Sequence, residues 1–159
     1  MGGIPRPGPE HARLALLAGD WIGEETIVPT PFDGISGNAI GHVHARMALD
    51  GFYLVTDYSQ ERHGGVPFQG HGVWSWDAGR RAYAMHWFDS TGVDHGAPFR
   101  GTWDGNRLVL VHDAPGLRQS RHAYVVGDGE YELRMEVSVD GARWTTFLIG
   151  HYRRAPRGR

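Results

Sequence analysis

Two histidines flank a tight turn near the middle of the chain and are candidates for proton transfer or metal binding. The turn at 77–80 predicts a hairpin in which, for a loop of two or four residues, position 76 opposes 81 and His71 opposes His86. Directly opposed Cβ atoms in an antiparallel pair lie about 4.5–5.5 Å apart, close enough to share a metal ion, a water molecule or a proton. The register therefore predicts a cross-strand His71–His86 pair within a ligand-binding site.

A second group of titratable residues follows the same hairpin. Asp89, Asp94 and His95 fall close together in a segment that also contains Gly92 and Gly96, and we expect this loop at the mouth of the fold. A carboxylate beside a histidine can serve acid–base chemistry. The same residue types are also common in solvated turns, where they only shape the backbone. Both interpretations stay open, and no catalytic residue is assigned.

His42 and His44 are spaced i, i+2, which places both on one face of a strand, as in metal sites on sheets. Zinc requires three or four converging ligands, and the sequence fixes no third one. No residue marks an axial haem ligand either. We therefore predict no metal site and no cofactor, and a haem or metal carrier is kept as an alternative.

Large apolar side chains share the other face of the predicted hairpin. They are Trp74, Trp76, Tyr83, Met85 and Trp87. Aromatic surfaces with a few polar tips are typical of small-molecule sites. The alternative is a plain core, because the interior of a small barrel is often filled by side chains. Together with His71 and His86, these five residues are the predicted ligand-binding residues.

Repeated turns separate these residues into short elements. Asp-Gly dipeptides occur at 33–34, 50–51, 104–105, 128–129 and 140–141, mostly between stretches of alternating apolar and polar residues. This combination predicts hairpins, because Asp and Gly tolerate the positive φ angles of a type I′ turn. Gly64-Gly65 also indicates a hairpin turn. The chain is therefore predicted to be an antiparallel meander.

Period-two alternation extends over most of the chain. It predicts strands near 20–28, 40–49, 52–60, 70–76, 82–89, 97–103, 106–112, 118–126, 130–139 and 143–153. In segment 130–139 the apolar residues face one way and four charged residues and a serine face the other. A helix over 9–18 precedes the strands, with Leu14 and Leu17 on its apolar face. The pattern predicts an all-β fold, a closed antiparallel up-and-down barrel of nine or ten strands with one short N-terminal helix.

Composition excludes several classes of function. The chain has 159 residues, a net charge of −2 and no lysine or cysteine, so Schiff-base, thiolate and disulfide chemistry are excluded. Nucleic acid is not an expected partner, because no basic field exists. No apolar stretch approaches the ~20 residues that span a bilayer, so no membrane partner is expected. We expect one domain over 9–154, flexible tails at 1–8 and 155–159, no signal peptide and a cytoplasmic location; the oligomeric state is not indicated.

Three motifs resemble a known family. Gly19-Asp20-Trp21, after the helix, resembles the Gly-x-Trp signature of lipocalins and other calycins. The run from Trp76 to Tyr83, followed by Trp87-Phe88-Asp89-Ser90 and the closing His151-Tyr152-Arg153-Arg154, is similar to an uncharacterised bacterial family of lipocalin-like barrels. The resemblance implies a calycin-type barrel and no assigned catalytic residues. It also implies that Trp21 packs at the closed end beside Arg153 or Arg154, through a cation–π contact.

These observations predict a barrel that binds a small apolar or aromatic molecule rather than an enzyme. The first alternative is a cofactor-independent isomerase or cyclase, in which the cavity supplies shape and a His or Tyr donates a proton. The second alternative is the haem or metal carrier. The identity of the ligand is not indicated by any residue.

Overall fold

A computed structural model describes residues 3–30, 34, 36–62, 68–112 and 119–156. The short helix α1 (Pro9–Arg13) continues into a 3-10 helix (Leu14–Leu17), and a 3-10 turn (Leu49–Gly51) joins the second and third strands. The ten strands are β1 (Gly19–Ile27), β2 (Gly37–Ala48), β3 (Tyr53–Arg62), β4 (Phe68–Asp77), β5 (Ala82–Asp89), β6 (Phe99–Asp104), β7 (Arg107–His112), β8 (Gln119–Val126), β9 (Glu130–Ser138) and β10 (Thr145–Arg154). The predicted strands and N-terminal helix are confirmed.

The sheet closes on itself. Each strand pairs antiparallel with its neighbour in sequence, and β1 also pairs with β10, from Trp21 opposite Arg154 to Ile27 opposite Leu148. Closure pairs the first and last strands, which would otherwise leave exposed backbone groups at both edges. The predicted up-and-down barrel with a lipocalin-like fold is therefore confirmed.

The N-terminal helical segment closes one end of the barrel. Leu14 and Leu17 are buried, and the Trp21 indole N–H donates to the Leu17 carbonyl at 3.0 Å. The Arg154 guanidinium lies 4.5 Å from the centre of the Trp21 ring. The cation–π contact that the family resemblance implies is thus present, and of the two candidate arginines the structure selects Arg154. Tyr83 also donates to the Glu10 carbonyl, at 2.7 Å, which fastens the helix to β5.

Alternation along β9 is only partly as predicted. Tyr131 and Leu133 are buried on the inner face. Glu136 and Ser138, predicted to face water, are buried as well. Arg121 on β8 contacts the Glu136 carboxylate at 3.0 Å, and Ser138 accepts the backbone N–H of Gly141 at 2.9 Å. The outer face is therefore covered at this end by an ion pair and by the β9–β10 turn, which a period-two pattern does not reveal.

The Asp-Gly dipeptides that the structure describes lie at strand ends or between strands, but the type I′ prediction is mostly wrong. Asp50 and Gly51 both have positive φ, at 59° and 90°, yet they belong to the three-residue 3-10 turn. At 104–105, 128–129 and 140–141 only the glycine has positive φ. Asp140 serves another purpose there, because its carboxylate accepts the backbone N–H groups of Ala142 and Arg143 at 2.8 Å. Asp33 and the Gly64-Gly65 turn lie outside the described residues.

The predicted register of the β4–β5 hairpin is wrong by two residues. Asp77 opposes Ala82, so the four-residue loop begins one position later than predicted. His71 consequently opposes Phe88, and His86 opposes Val73. The Asp77 carboxylate accepts the backbone N–H of Arg80 at 3.0 Å, which favours this later turn. An even shift leaves every side chain on its predicted face, so the aromatic face survives while the histidine pair does not.

Candidate functional site: the barrel cavity

The barrel is hollow. A cavity of about 400 Å³ extends to the end where β3, β5 and β7 finish, with Arg62, Asp89 and His112 in its wall. Its apolar wall is formed by Leu17, Val43, Phe68, Trp74, Met85, Trp87, Phe99, Leu133, Met135, Phe147 and Leu148. The volume lies in the range of about 300–1,000 Å³ that ligand pockets occupy. The plain-core alternative therefore does not describe this half of the barrel.

Three of the seven predicted ligand-binding residues line this cavity: Trp74, Met85 and Trp87. Trp76 and Tyr83 oppose each other on the same face but nearer the closed end, where their rings pack with centroids 4.9 Å apart. They close the barrel floor and do not line the cavity. Face periodicity selected the right side of the hairpin, but it carries no information on depth along the barrel axis.

His71 and His86 lie on the outer face of the barrel. The imidazole Nδ1 of His71 is 2.7 Å from the Asp57 carboxylate on β3, and His86 is exposed. The prediction that they form a cross-strand pair is wrong, because the register places them diagonally. Neither side chain reaches the cavity, so a part in binding an interior ligand is not supported.

The lining tryptophans are fixed in the wall by their own hydrogen bonds. The Trp87 indole N–H donates to the Asp89 carboxylate at 2.9 Å, and the Trp74 N–H points at the Thr56 hydroxyl at 3.4 Å. The lack of a side chain at Gly70 leaves space for the Trp87 ring, since a Cβ at position 70 would lie 2.1 Å from that ring. The ring therefore lies flat against β4 and leaves the centre of the barrel open.

A buried carboxyl group, Glu25, lies behind the cavity wall and is bound by three residues of that wall, Tyr58, Gln60 and Tyr152. Its side chain is 2% exposed and accepts the Tyr58 hydroxyl at 2.8 Å, the Gln60 amide at 3.0 Å and the Tyr152 hydroxyl. Gly41 makes room for it, because a Cβ there would lie 2.8 Å from the carboxylate. Sequence reasoning missed this cluster, although Glu25 is in phase with the inward-facing Trp21 and that phase was a usable signal.

The tyrosines of the wall stay protonated at neutral pH. Burial raises the pKa of Tyr58, and the nearby Glu25 adds to the effect. Burial also raises the pKa of Tyr124, and it raises the pKa values of Tyr131 and Tyr152 with further contributions from neighbouring groups. The cavity therefore presents phenol hydroxyls and not phenolates.

Asp89 and His95 meet at the mouth of the cavity, as the sequence indicated for that loop. The His95 Nε2 lies 3.0 Å from the Asp89 carboxylate, whose side chain is only 6% exposed. Burial by itself raises the pKa of the Asp89 carboxyl, but hydrogen bonds from Thr91, Trp87 and His95 outweigh it and lower the pKa. Asp94 instead accepts the backbone N–H of Gly96 and shapes the loop. This carboxylate–imidazole pair has the geometry for acid–base chemistry.

Two further histidines line the wall beside this mouth, and sequence reasoning did not single them out. The His112 Nε2 donates to the His95 carbonyl at 2.7 Å. The Nδ1 of His122 is buried and has no hydrogen-bond partner among the described residues. Burial, assisted by the neighbouring His112, lowers the pKa of His122 to about 4. Its imidazole is therefore neutral at pH 7.

The outer face carries further histidines in carboxylate contacts. The Nδ1 of His44 contacts Asp20, and the Nε2 of His42 lies 3.5 Å from Glu61. Within the part of the chain that the structure describes, no three histidine or acidic side chains are placed to hold a metal ion. No helix in that part is long and apolar enough to cross a membrane.

A hollow, closed ten-stranded antiparallel barrel with a helix over one end defines a lipocalin-like fold. The chain belongs to a family described as protein of unknown function (DUF1579), whose sequence model matches residues 6–154. No curated protein matches the chain in sequence. The motifs thus pointed correctly to a family of unknown function, whereas its bacterial origin and the calycin assignment stay predictions.

Two solved structures share the fold at low sequence identity. Rv2717c from M. tuberculosis superposes with a TM-score of 0.66 at 14% identity, over 94% of this chain and 99% of that one. The S-type phycobiliprotein lyase CPES from Guillardia theta superposes with a TM-score of 0.68 at 8% identity, over 96% of this chain and 100% of that one. At such identities the likeness concerns the fold alone.

Proposed function

We propose that this barrel binds a small apolar or aromatic molecule in its cavity. The observation that carries the proposal is the aromatic-walled space of about 400 Å³ beneath Trp74, Met85 and Trp87. A mostly apolar pocket with a few convergent polar groups is the usual composition of a small-molecule site. The presence of a lyase among proteins of the same fold supports a barrel used for more than packing.

The way that the interior is built also supports this proposal. Large side chains lie over wall glycines, as Trp87 lies over Gly70 and Tyr152 over Gly23 and Gly150. A side chain at these glycines would push the aromatic rings toward the barrel axis. The small residues therefore maintain an open interior, which a barrel stabilised only by its core does not require.

Binding of the neutral probe N-phenyl-1-naphthylamine tests the proposal. We expect saturable quenching of tryptophan fluorescence together with enhanced probe emission, and competition by a second neutral aromatic molecule. Trp87→Ala should weaken binding at least ~5-fold, because the variant loses part of the cavity wall. Trp144→Ala is the matched control, since Trp144 lies outside the cavity wall and under the Arg121 guanidinium. Equal binding by both variants, or no saturable binding at all, would contradict the proposal.

A second candidate function is supported by one specific observation, the Asp89–His95 pair at the mouth. A carboxylate that orients an imidazole is the arrangement of a general base, and a cofactor-independent isomerase or cyclase would use it on a ligand held by the aromatic wall. In that case His95→Gln should leave probe binding unchanged and abolish turnover of any substrate that is found. If His95→Gln instead turns over that substrate as fast as the parent protein, this candidate fails.

The metal carrier has less support, because no group of three potential ligands converges in the described residues, whereas a haem carrier needs only one axial ligand. Titration with haemin tests it directly. A Soret band that saturates at one equivalent would favour a carrier over a binder of small aromatic molecules. A cytoplasmic location also stays a prediction.

A further inference from the structure

The indole N–H groups of the two tryptophans in the cavity wall already have hydrogen-bond partners. The N–H of Trp87 is bound to Asp89 at 2.9 Å, and the N–H of Trp74 points at Thr56 at 3.4 Å. Thr56 in turn directs its hydroxyl at the Gly72 carbonyl, also at 3.4 Å. A ligand that presents only a hydrogen-bond acceptor therefore finds neither indole free.

The two tyrosines that bind Glu25 present hydrogen-bond acceptors to the cavity. The hydroxyls of Tyr58 and Tyr152 both donate to the Glu25 carboxylate, so their single protons are used. Each phenol oxygen keeps lone pairs, and both residues line the cavity. The Gln60 carbonyl oxygen accepts from the Arg62 guanidinium at 2.7 Å and is itself engaged. The two phenol oxygens can therefore accept a hydrogen bond from a ligand but not donate one, whereas the Arg62 guanidinium at the mouth keeps N–H groups to donate.

The two histidines that line the cavity, His112 and His122, also determine which hydrogen bonds a ligand can make. Because a carbonyl oxygen only accepts, the His112 Nε2 that contacts it carries a proton and is already engaged. His122 is neutral, and its Nδ1 is buried without a partner among the described residues. The ring stacks on Phe99 with centroids 4.5 Å apart, so its orientation is fixed. A buried nitrogen without a partner is unusual in a folded protein and points to a group supplied from elsewhere.

We propose that the cavity recognises neutral aromatic molecules that carry an O–H or N–H donor, and that the unprotonated ring nitrogen of His122 accepts this hydrogen bond. This inference rests on the proposed function and names its class of ligand. The hydroxyls of Tyr124 and Tyr131, which also line the cavity, can either donate or accept, so they do not oppose this choice. In this proposal the aromatic ring of the ligand occupies the space between Trp74 and Leu133. The donor group of the ligand then points toward β7 and β8, which carry His112 and His122.

Binding of 2-naphthol and 2-methoxynaphthalene, compared by isothermal titration calorimetry at pH 7.5, tests the inference. The two probes share a ring system, and methylation removes only the donor. We expect 2-naphthol to bind about 5-fold tighter, the ratio that one net hydrogen bond gives. In His122→Leu the two probes should bind about equally, whereas the exposed control His86→Leu should keep the preference. If His122→Leu does not fold, His122→Gln replaces it, and we expect a reduced preference there.

The outcomes distinguish failure of the donor preference from failure of the proposed binding function. Equal binding of both probes by the parent protein overturns the donor preference and leaves a general aromatic binder. Binding of neither probe overturns both proposals. If the preference persists in a folded His122 variant, the acceptor is another group of the wall and the assignment to His122 is wrong.

Discussion

The Tyr58 hydroxyl donates to both carboxylate oxygens of Glu25 at 2.8 Å, joining β3 to β1 across the inside of the barrel. The pair lies in the buried wall, and Gln60 and Tyr152 supply further donors to the same carboxylate. A buried acidic group is tolerated in a protein interior when donors satisfy its oxygens. Glu25 therefore serves as the point at which three strands of the barrel are held together.

Replacing Glu25 by glutamine should destabilise the protein. The new amide has one acceptor oxygen for three donors, and its NH2 group faces the Tyr58 and Tyr152 hydroxyls. Leaving buried donors unpaired costs about 1–3 kcal/mol each, so we expect a loss of roughly 2–4 kcal/mol in urea unfolding. Glu24→Gln, on the exposed face of the same strand, is the matched control and should change stability by less than about 0.5 kcal/mol. A Glu25→Gln variant as stable as the control would show that the cluster is not needed for folding.

Predicting the architecture from the sequence was possible because its signals are local. Alternation and repeated turn residues indicate the number of strands. A meander of strands of similar length avoids open edges most simply by closing into a barrel. The hairpin register was wrong because a four-residue loop beginning at Asp77 or at Ala78 fits the same residues. Only the hydrogen bonds of the Asp77 carboxylate decide between the two.

The cavity was harder to predict, because its lining depends on the position of each residue along the barrel axis and on the pairing of strands that are distant in sequence. The aromatic face of β4 and β5 was identified, but Trp76 and Tyr83 belong to the closed end and Trp87 to the open one. Glu25 and Tyr152 are separated by 127 residues and meet only when β1 pairs with β10. His122 resembles any other histidine in the sequence, and only burial of its Nδ1 distinguishes it.

The two ends of the barrel should respond differently to loss of a tryptophan. Trp21 is 2% exposed beneath the helix, so Trp21→Ala should lower the free energy of unfolding by about 3–5 kcal/mol. Trp87 borders empty space on one side, and we expect Trp87→Ala to cost less than half as much. Chemical denaturation of both variants checks this comparison. A Trp87→Ala protein destabilised as much as Trp21→Ala would favour a core role over a ligand-binding one.

A methyl group at position 70 should disturb the cavity without replacing any of its lining residues. In Gly70→Ala the new Cβ would lie 2.1 Å from the Trp87 ring, so the ring must move from the wall toward the cavity. We expect weaker binding of N-phenyl-1-naphthylamine by at least ~3-fold and a change in tryptophan emission. Gly34→Ala serves as a control, because no atom of the described residues lies within 4 Å of a Cβ there. Unchanged probe affinity in Gly70→Ala would mean that the position of the Trp87 ring does not limit binding.

Zinc should not stabilise this protein through His71 and His86. The two side chains lie on the outer face, diagonal to each other, and His71 is engaged with Asp57. We expect no rise in the melting temperature on adding equimolar zinc, and only a small change in stability in His86→Ala. A ligand that binds the folded state alone raises its stability. A zinc-dependent increase that disappears in His86→Ala would therefore restore the metal-site alternative.

The stability of the protein should depend on pH through His122 in a defined window. Burial, with a smaller effect of His112, lowers the pKa of His122 from its ordinary value of 6.5 to about 4. Above pH 6.5 the ring is neutral in both the folded and the unfolded chain, so it adds no pH dependence. As the pH falls from 6.5 to 4, the unfolded chain binds a proton that the folded protein excludes, and the folded state loses stability.

The loss from His122 amounts to at most about 3 kcal/mol by pH 4, where it levels off. Carboxyl groups with lowered pKa values, such as Asp89 and Asp140, act at still lower pH, since their stabilisation disappears only as the pH falls through and below about 3.8. The two effects are therefore separable. In urea unfolding at pH 7.5, 5.5 and 4.5, His122→Leu should lose less stability on acidification than the parent protein. His86→Ala should follow the parent curve, and an unchanged slope in His122→Leu would show that His122 does not titrate as its burial requires.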